Sequence, residues 1–249
     1  MGFYDEFSQY YDYIFPLKEE KIEFLLDVFS RKRCKKILDV GTATATYAIE
    51  LSKNDFIVTA IDIDNTMIEL ARKKAEMAKS NLELKLMDML DIDKTFSNNT
   101  FGGIYSIGNV LVHLPSLEDI KLFIKKTTKI LKKEGTLVIQ IINYDRILNN
   151  DLKGLKTIKA DNNNLFFIRN YKFEDKEKNI IFDTELKIKK EEAGFQIFKN
   201  ETRLIPLKTE QLYQFLKEAG YNKINFYGDF YKNDYNIDNS IPCIVVASF

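Results

Sequence analysis

The spacing of apolar and polar residues changes period several times along the chain. Ile37, Leu38 and Val40 make a short apolar run that suits a strand buried on both faces, as a parallel sheet requires. Gly41 opens a loop. Ala45 to Lys53 then carries Ala45, Ala48, Ile49 and Leu51 at helical spacing, and Asn54-Asp55 stops that helix before a second strand from Phe56 to Ile61, closed by Asp62. A strand, tight loop, helix and strand form half of a nucleotide-binding fold, and an acid ending the second strand stands where a ribose is hydrogen-bonded. The pattern continues with a helix capped by Asp64 or Asn65 and running through Ala78, then a third strand, Leu82 to Met87, followed by Asp88. A fourth strand spans Ile104 to Ile107. Ser116 starts a helix that ends near Lys132, Glu134-Gly135 turns, and Thr136 to Ile142 is the fifth strand.

After Asn143-Tyr144-Asp145 the period falls to two. Leu165, Phe167, Arg169, Tyr171 and Phe173 alternate, as do Ile180, Phe182, Thr184, Leu186 and Ile188, so residues 150–207 are expected to be an inserted antiparallel layer. Its hairpins turn at Asp161 to Asn164 and Glu174 to Asn179. Thr209 is expected to cap a helix ended by Gly220, and strands Lys223 to Tyr227 and Ile241 to Ser248 follow. Before the first strand lies a helix at about Leu17 to Ser30. Residues 3–15 hold four tyrosines and three phenylalanines, which either cap the core or, as a segment over 1–16, cover a ligand as a lid.

The bulk numbers narrow the function classes. A chain of 249 residues accommodates one large α/β domain, read here as spanning 1–249. Thirty-seven basic residues balance thirty-seven acidic ones, so no global field draws the protein to nucleic acid or to an anionic membrane. Cys34 and Cys243 are the only cysteines, which suits a reducing compartment, and no apolar stretch is long enough to span a bilayer. The expected location is therefore cytoplasmic. With His113 the only histidine, no cluster offers metal ligands.

The loop Gly41-Thr42-Ala43-Thr44-Ala45-Thr46 carries the chemistry. A dinucleotide site needs further glycines so that backbone can approach a pyrophosphate; here the methyl groups of Ala43 and Ala45 occupy that space. A nucleoside ligand without phosphate still fits, and S-adenosylmethionine is one. The alternative is a small-residue turn that only packs helix on strand.

Asp39, Gly41, Ala43 and Ala45 resemble the D/E-x-G-x-G-x-G motif of the class I methyltransferases, with alanine at the second and third glycines. Together with SIGNVLVHLP, QIINYDRIL and YGDF…IPCIVVA, the loop is similar to the glycine N-methyltransferase branch of that family. The resemblance implies an α/β, Rossmann-like seven-stranded mixed sheet with helices on both faces, the inserted strands lying over the pocket. It implies S-adenosylmethionine as cofactor and a small-molecule methyl acceptor, with N-methylation of a small amine or amino acid as the reaction. Carried over residue by residue, the cofactor set is Tyr11, Asp39, Gly41, Thr42 and Ala43 at the loop, Asp62 for the ribose, and Ile63 and Met67 flanking the adenine. Asp88 would hold the adenine amino group, with Met89, Ile107, Gly108 and Asn109 completing the set. Acceptor positioning falls to Asn143, with Tyr4, Tyr11, His113, Tyr144, Arg169 and Arg203 as further candidates. An RNA methyltransferase using Arg31 to Lys36 and the row Lys121, Lys125, Lys129 and Lys132 is the alternative enzyme. A non-catalytic S-adenosylmethionine-binding protein is the alternative outside catalysis.

Overall fold

A computed structural model of the protein describes residues 3–30, 35–175, 179–190 and 194–249, the side chains of 3–5, 163, 174 and 175 excepted. The basic run Arg31 to Arg33, Cys34, the tip of the 174–179 turn and the Tyr4 side chain lie outside the described residues. The chain opens with helices α1 (Phe3–Ile14) and α2 (Glu19–Ser30). Alternation then produces β1 (Lys36–Val40), α3 (Thr46–Ser52), β2 (Ile57–Asp62), α4 (Asn65–Met77), β3 (Glu83–Leu86), α5 (Ile92–Thr95), β4 (Phe101–Ser106), α6 (Leu117–Ile130) and β5 (Leu131–Ile142). A short α7 (Tyr144–Asn149) leads into β6 (Gly154–Ala160), β7 (Leu165–Asp175), β8 (Asn179–Lys190) and β9 (Gly194–Leu204); α8 (Thr209–Ala219), β10 (Lys223–Tyr227) and β11 (Pro242–Ser248) finish it.

Two sheets result. The larger has seven strands in the order β10-β11-β5-β4-β1-β2-β3, parallel except for β11, which runs antiparallel to both neighbours. Its central strands β1, β2, β4 and β5 are buried on both sides. Leu38, Val40 and Ile104 pack with Phe123, Ile124 and Leu216 of α6 and α8, while Ile37, Val58 and Tyr105 pack on the other face with Phe24, Phe29 and Leu51 of α2 and α3. Helices therefore cover both faces, as the resemblance implied. The smaller sheet is the antiparallel meander β6-β7-β8-β9. Its inward residues Leu165, Phe167, Leu186 and Ile188 pack against Ile14 of α1, and the Phe7 and Phe15 rings lie 5.3 and 6.0 Å from that of Phe167.

Two local expectations are corrected. α6 ends at Ile130 because Leu131 is extended, buried, and already paired with Phe101; the next pair is Gly103 with Thr136, so 132–135 bulge out within β5 rather than forming a turn before it. Lys208 occupies the N-cap of α8, its N–H donating to Gln211 Oε1, and Thr209 is the first helical residue, with its hydroxyl donating to Asp145 at 2.7 Å. The buried stripe of α4 is Met67, Ile68, Ala71 and Ala75. Asp64 at its N-cap and Ser116 at that of α6 accept from the N–H groups of Met67 and Asp119 as their side-chain chemistry predicts.

Candidate active site

The strand order reverses between β1 and β4: the chain moves one way from β1 through β2 to β3, then returns to β4 on the other side. A crevice opens at such a point beyond the carboxyl ends of the strands. There the Gly41 loop leaves β1 and Gly108 follows β4. Gly41 has φ +76°, and a Cβ on it would lie 2.4 Å from Val110, so both backbone and neighbour require glycine. Ala43 and Ala45 also adopt left-handed conformations, φ 50° and 58°, which non-glycine residues enter at a cost of about 1–2 kcal/mol each.

The loop amides are consumed by the protein itself. The N–H groups of Gly41 and Thr42 both donate to the Ile61 carbonyl at 2.9 and 3.0 Å, and that of Ala43 donates to Asp62 Oδ2 at 2.8 Å. These amides are not offered to a pyrophosphate. Asp62 Oδ1 accepts from the Asp64 N–H at 3.0 Å, and burial raises the carboxyl pKa. Below the loop the Thr42 hydroxyl donates to Asp39 Oδ2 at 2.7 Å.

A cavity of about 540 Å³ occupies the crevice. Of the predicted cofactor set, Tyr11, Asp39, Gly41, Thr42, Ile107 and Gly108 form part of its wall. α1 contributes further residues, and Arg169 closes the side nearest the small sheet. Ala43, Asp62, Ile63, Met67, Asp88, Met89 and Asn109 are not on that wall. Asp62 and Asp88 stand beyond the loop at the ends of β2 and β3, where the Met87 N–H donates to the Asp62 carbonyl at 2.8 Å. Asp88 Oδ1 accepts from the Leu90 N–H at 2.8 Å, Ile63 is 70% exposed, and Met67 is buried within α4.

The acceptor candidates separate sharply. Asn143 is 1% exposed; its Oδ1 accepts from the Arg146 N–H at 3.0 Å and its amide donates to the carbonyls of Ile237 and Ser240 at 2.8 and 3.0 Å. It caps α7 and ties down the β10–β11 connection, so the expectation that it faces the pocket is corrected. Asn143→Ala should lower folding stability by roughly 2–4 kcal/mol, through a lost cap and two lost side-chain bonds, without a specific rise in acceptor KM. Urea denaturation beside steady-state kinetics checks this. Tyr144 is fully buried and its hydroxyl accepts from the Asn109 amide at 3.0 Å, while Asn109 Oδ1 accepts from the Ile142 N–H; this pair joins β5 to the loop after β4, away from the cavity. Arg203 is exposed because Leu204 takes the inward parity of β9. His113 is exposed on the turn after β4 and is likewise off the cavity wall.

Arg169 is different. Its Nη2 donates to the Lys156 carbonyl, its Nε is buried without a hydrogen-bond partner, and among the described residues no carboxylate lies within ion-pair distance. Burial lowers its pKa. Sequence reasoning passed over Tyr47 and Lys21, which also line the cavity, Lys21 Nζ lying 5.5 and 5.3 Å from the Tyr47 and Phe230 ring centres. Neither has a motif around it. Among the described residues no group of three or more His, Cys, Asp or Glu is placed to hold a metal, and no helix is long and apolar enough to cross a membrane. The lysine row of α6 is exposed, Lys121 pairing with Glu218 and Lys129 with Asp93.

Asp39 supplies a pH dependence. Burial pushes its carboxyl up to about 7, partly offset by the Thr42 hydroxyl. Because this folded value exceeds the unfolded one, the group favours the unliganded fold at low pH, and that contribution is lost as pH rises toward 7. A cationic ligand reverses the preference. S-adenosylmethionine affinity should rise by about tenfold between pH 6 and 8 and then level off, with a proton released on binding. Calorimetry in buffers of different ionisation enthalpy measures that proton, and Asp39→Asn should abolish it.

The Methyltransferase domain family matches residues 37–135, the stretch that builds β1 to β4 and the loops between them. A glycine/sarcosine N-methyltransferase of Aphanothece halophytica is 24% identical over 208 residues, covering 84% of this chain and 74% of that protein. Human glycine N-methyltransferase is 28% identical over 138 residues, 51% of this chain and 47% of the relative, so the match spans about half the length of that protein. A solved S-adenosylmethionine-dependent methyltransferase from Clostridium acetobutylicum superposes with a TM-score of 0.82 over 99% of this chain and 98% of that one, at 17% identity, and shares the fold. With the matched domain built around the switch-point crevice, the chain carries an S-adenosylmethionine-dependent methyltransferase domain and resembles the glycine N-methyltransferase branch of the class I enzymes.

Proposed function

We propose that the methyl acceptor is a small amine that also carries an anionic group, and that the product is its N-methyl derivative. The observation that carries this reading is the Arg169 guanidinium on the cavity wall with a buried Nε and no carboxylate partner among the described residues. A half-buried guanidinium whose Nε has no partner and which faces no carboxylate among the described residues is unfavourable, and an anion on the incoming acceptor would relieve it. The names of the relatives, glycine and glycine/sarcosine N-methyltransferases, support an amino acid as the type of acceptor.

In this reading the donor's methionine portion lies against Gly41, Thr42 and Asp39. Asp62 accepts from the ribose hydroxyls, Asp88 from the adenine amino group, and Ile63 flanks the ring. α1 covers the donor and the inserted strands complete the acceptor side. The neutral amine nitrogen attacks the methyl carbon in line with sulfur. The N–C bond forms as the C–S bond breaks, the electron pair stays on sulfur, and the surplus amine proton leaves to water. The sulfonium already activates the methyl group, so holding the reactants in line is the main contribution, roughly 7–11 kcal/mol in well-oriented systems.

A panel of amines with labelled S-adenosylmethionine tests the assignment: glycine and sarcosine, amino acids with longer side chains, aminosulfonates, amino sugars and uncharged alkylamines. Anionic amines should take up label with the higher kcat/KM. Equal use of neutral amines would refute the acceptor class, and transfer to RNA alone would refute the small-molecule reading.

A further inference from the structure

The cofactor loop meets the N-terminal helix at one carboxylate. Asp12 of α1 accepts from the hydroxyls of Thr44 and Thr46 at 2.7 and 3.2 Å through Oδ1, and its Oδ2 is 2.6 Å from Lys74 Nζ of α4. Lys74 also donates to the Thr46 hydroxyl at 2.6 Å. Thus α1, the loop and α4 are joined through four side chains. The loop they hold is the one bent through two left-handed alanines, a shape that such residues keep only when their surroundings enforce it. Tyr11, one residue before Asp12, is on the cavity wall, and so are Thr44 and Thr46. The other side of α1 is anchored by apolar packing on the small sheet.

We propose that Asp12 and Lys74 are positioning residues forming a strap that makes closure of α1 and the donor-binding shape of the loop a single event. Undocking α1 withdraws Asp12 from both threonines, and a loop relaxed from its left-handed turns no longer presents Thr44 and Thr46 to Asp12. Donor and demethylated product are therefore held while the strap is fastened, and leave when it opens. The proposal rests on the donor lying at the Gly41 loop. Exposure separates this role from a general structural one: the Asp12 and Lys74 side chains are 44% and 33% exposed, and ion pairs of that kind contribute little to global stability.

The test combines stopped-flow release of S-adenosylhomocysteine with hydrogen exchange of the α1 amides, with and without that ligand. Asp12→Ala should speed release by roughly tenfold or more, the loss expected for charge-assisted bonds, and should erase the extra protection that the ligand gives α1 while the melting temperature moves little. Lys74→Met should speed release several-fold. Asp12→Asn, which keeps an acceptor for the threonines, should lie between parent and Asp12→Ala. Unchanged release in Asp12→Ala overturns the strap, as does faster release with the ligand-induced protection of α1 intact. Failure of the parent protein to bind S-adenosylhomocysteine is a separate outcome, overturning the donor site and the strap with it.

Discussion

Asp62→Ala should weaken S-adenosylmethionine binding by roughly 100-fold or more, because in the proposed donor site the carboxylate serves the ligand and the loop together. From sequence alone, this aspartate appears only as a ribose acceptor, whose removal costs about 1.5–3 kcal/mol with the fold undisturbed. The structure adds that Oδ2 accepts from the Ala43 N–H and Oδ1 from the Asp64 N–H. Truncation leaves both donors unsatisfied, each at about 1–3 kcal/mol, and frees Ala43 from the bond that holds its left-handed turn. Calorimetric titration should therefore show a larger loss than ribose contacts explain, and thermal unfolding of the unliganded variant should fall as well. Asp62→Asn keeps one acceptor oxygen and should recover part of both. Parent-like affinity in Asp62→Ala would remove Asp62 from the donor site.

Arg169→Met should lower kcat/KM for anionic amines by roughly 10- to 150-fold, the equivalent of 1.5–3 kcal/mol in charge-assisted bonds, and leave neutral amines unaffected. Lysine at this position keeps the charge but lacks the planar fork, so Arg169→Lys should recover only part of the loss. The unliganded protein should respond in the opposite sense. Its Arg169 holds a half-buried cation with an unpaired Nε, so an apolar side chain of similar length should raise the melting temperature slightly. A gain in stability with a loss of anionic-substrate activity is the expected signature of a binding residue. Equal loss for neutral and anionic amines would instead make Arg169 a support of the inserted sheet.

Local chemistry explains which parts of the fold were legible beforehand. Burial on both faces makes Ile37, Leu38 and Val40 an apolar run interrupted only by Asp39, half-burial makes Leu165, Phe167, Arg169 and Tyr171 alternate, and caps such as Ser116 act within one turn of their own backbone. Each is a property of neighbours along the chain. The Gly41 loop was legible for the same reason, since its small residues and Asp39 fall within a few positions of one another. The misread boundary at Leu131 came from a bulge, whose cause is the partner strand.

The acceptor side depended on which polar groups the fold had already used. Asn143, Tyr144 and Asn109 looked available because, the Arg146 N–H on Asn143 Oδ1 apart, their partners are remote: Ile237 and Ser240 across the chain and one another across the switch point. Arg169 and Arg203 looked equivalent until strand pairing gave one the cavity and the other solvent. The link from Asp12 to Thr44, Thr46 and Lys74 spans 32 to 62 residues. The sequence by itself determined most strands, the longer helices after α1 and the Gly41 loop, because periodicity, capping and turn geometry are set by nearby residues, and the chemistry of that loop with the family resemblance gave the class of cofactor. Only the tertiary structure decided which arginine lines the cavity with no carboxylate beside it among the described residues and which asparagine is already bonded, because buried polar groups are satisfied by partners remote in the chain.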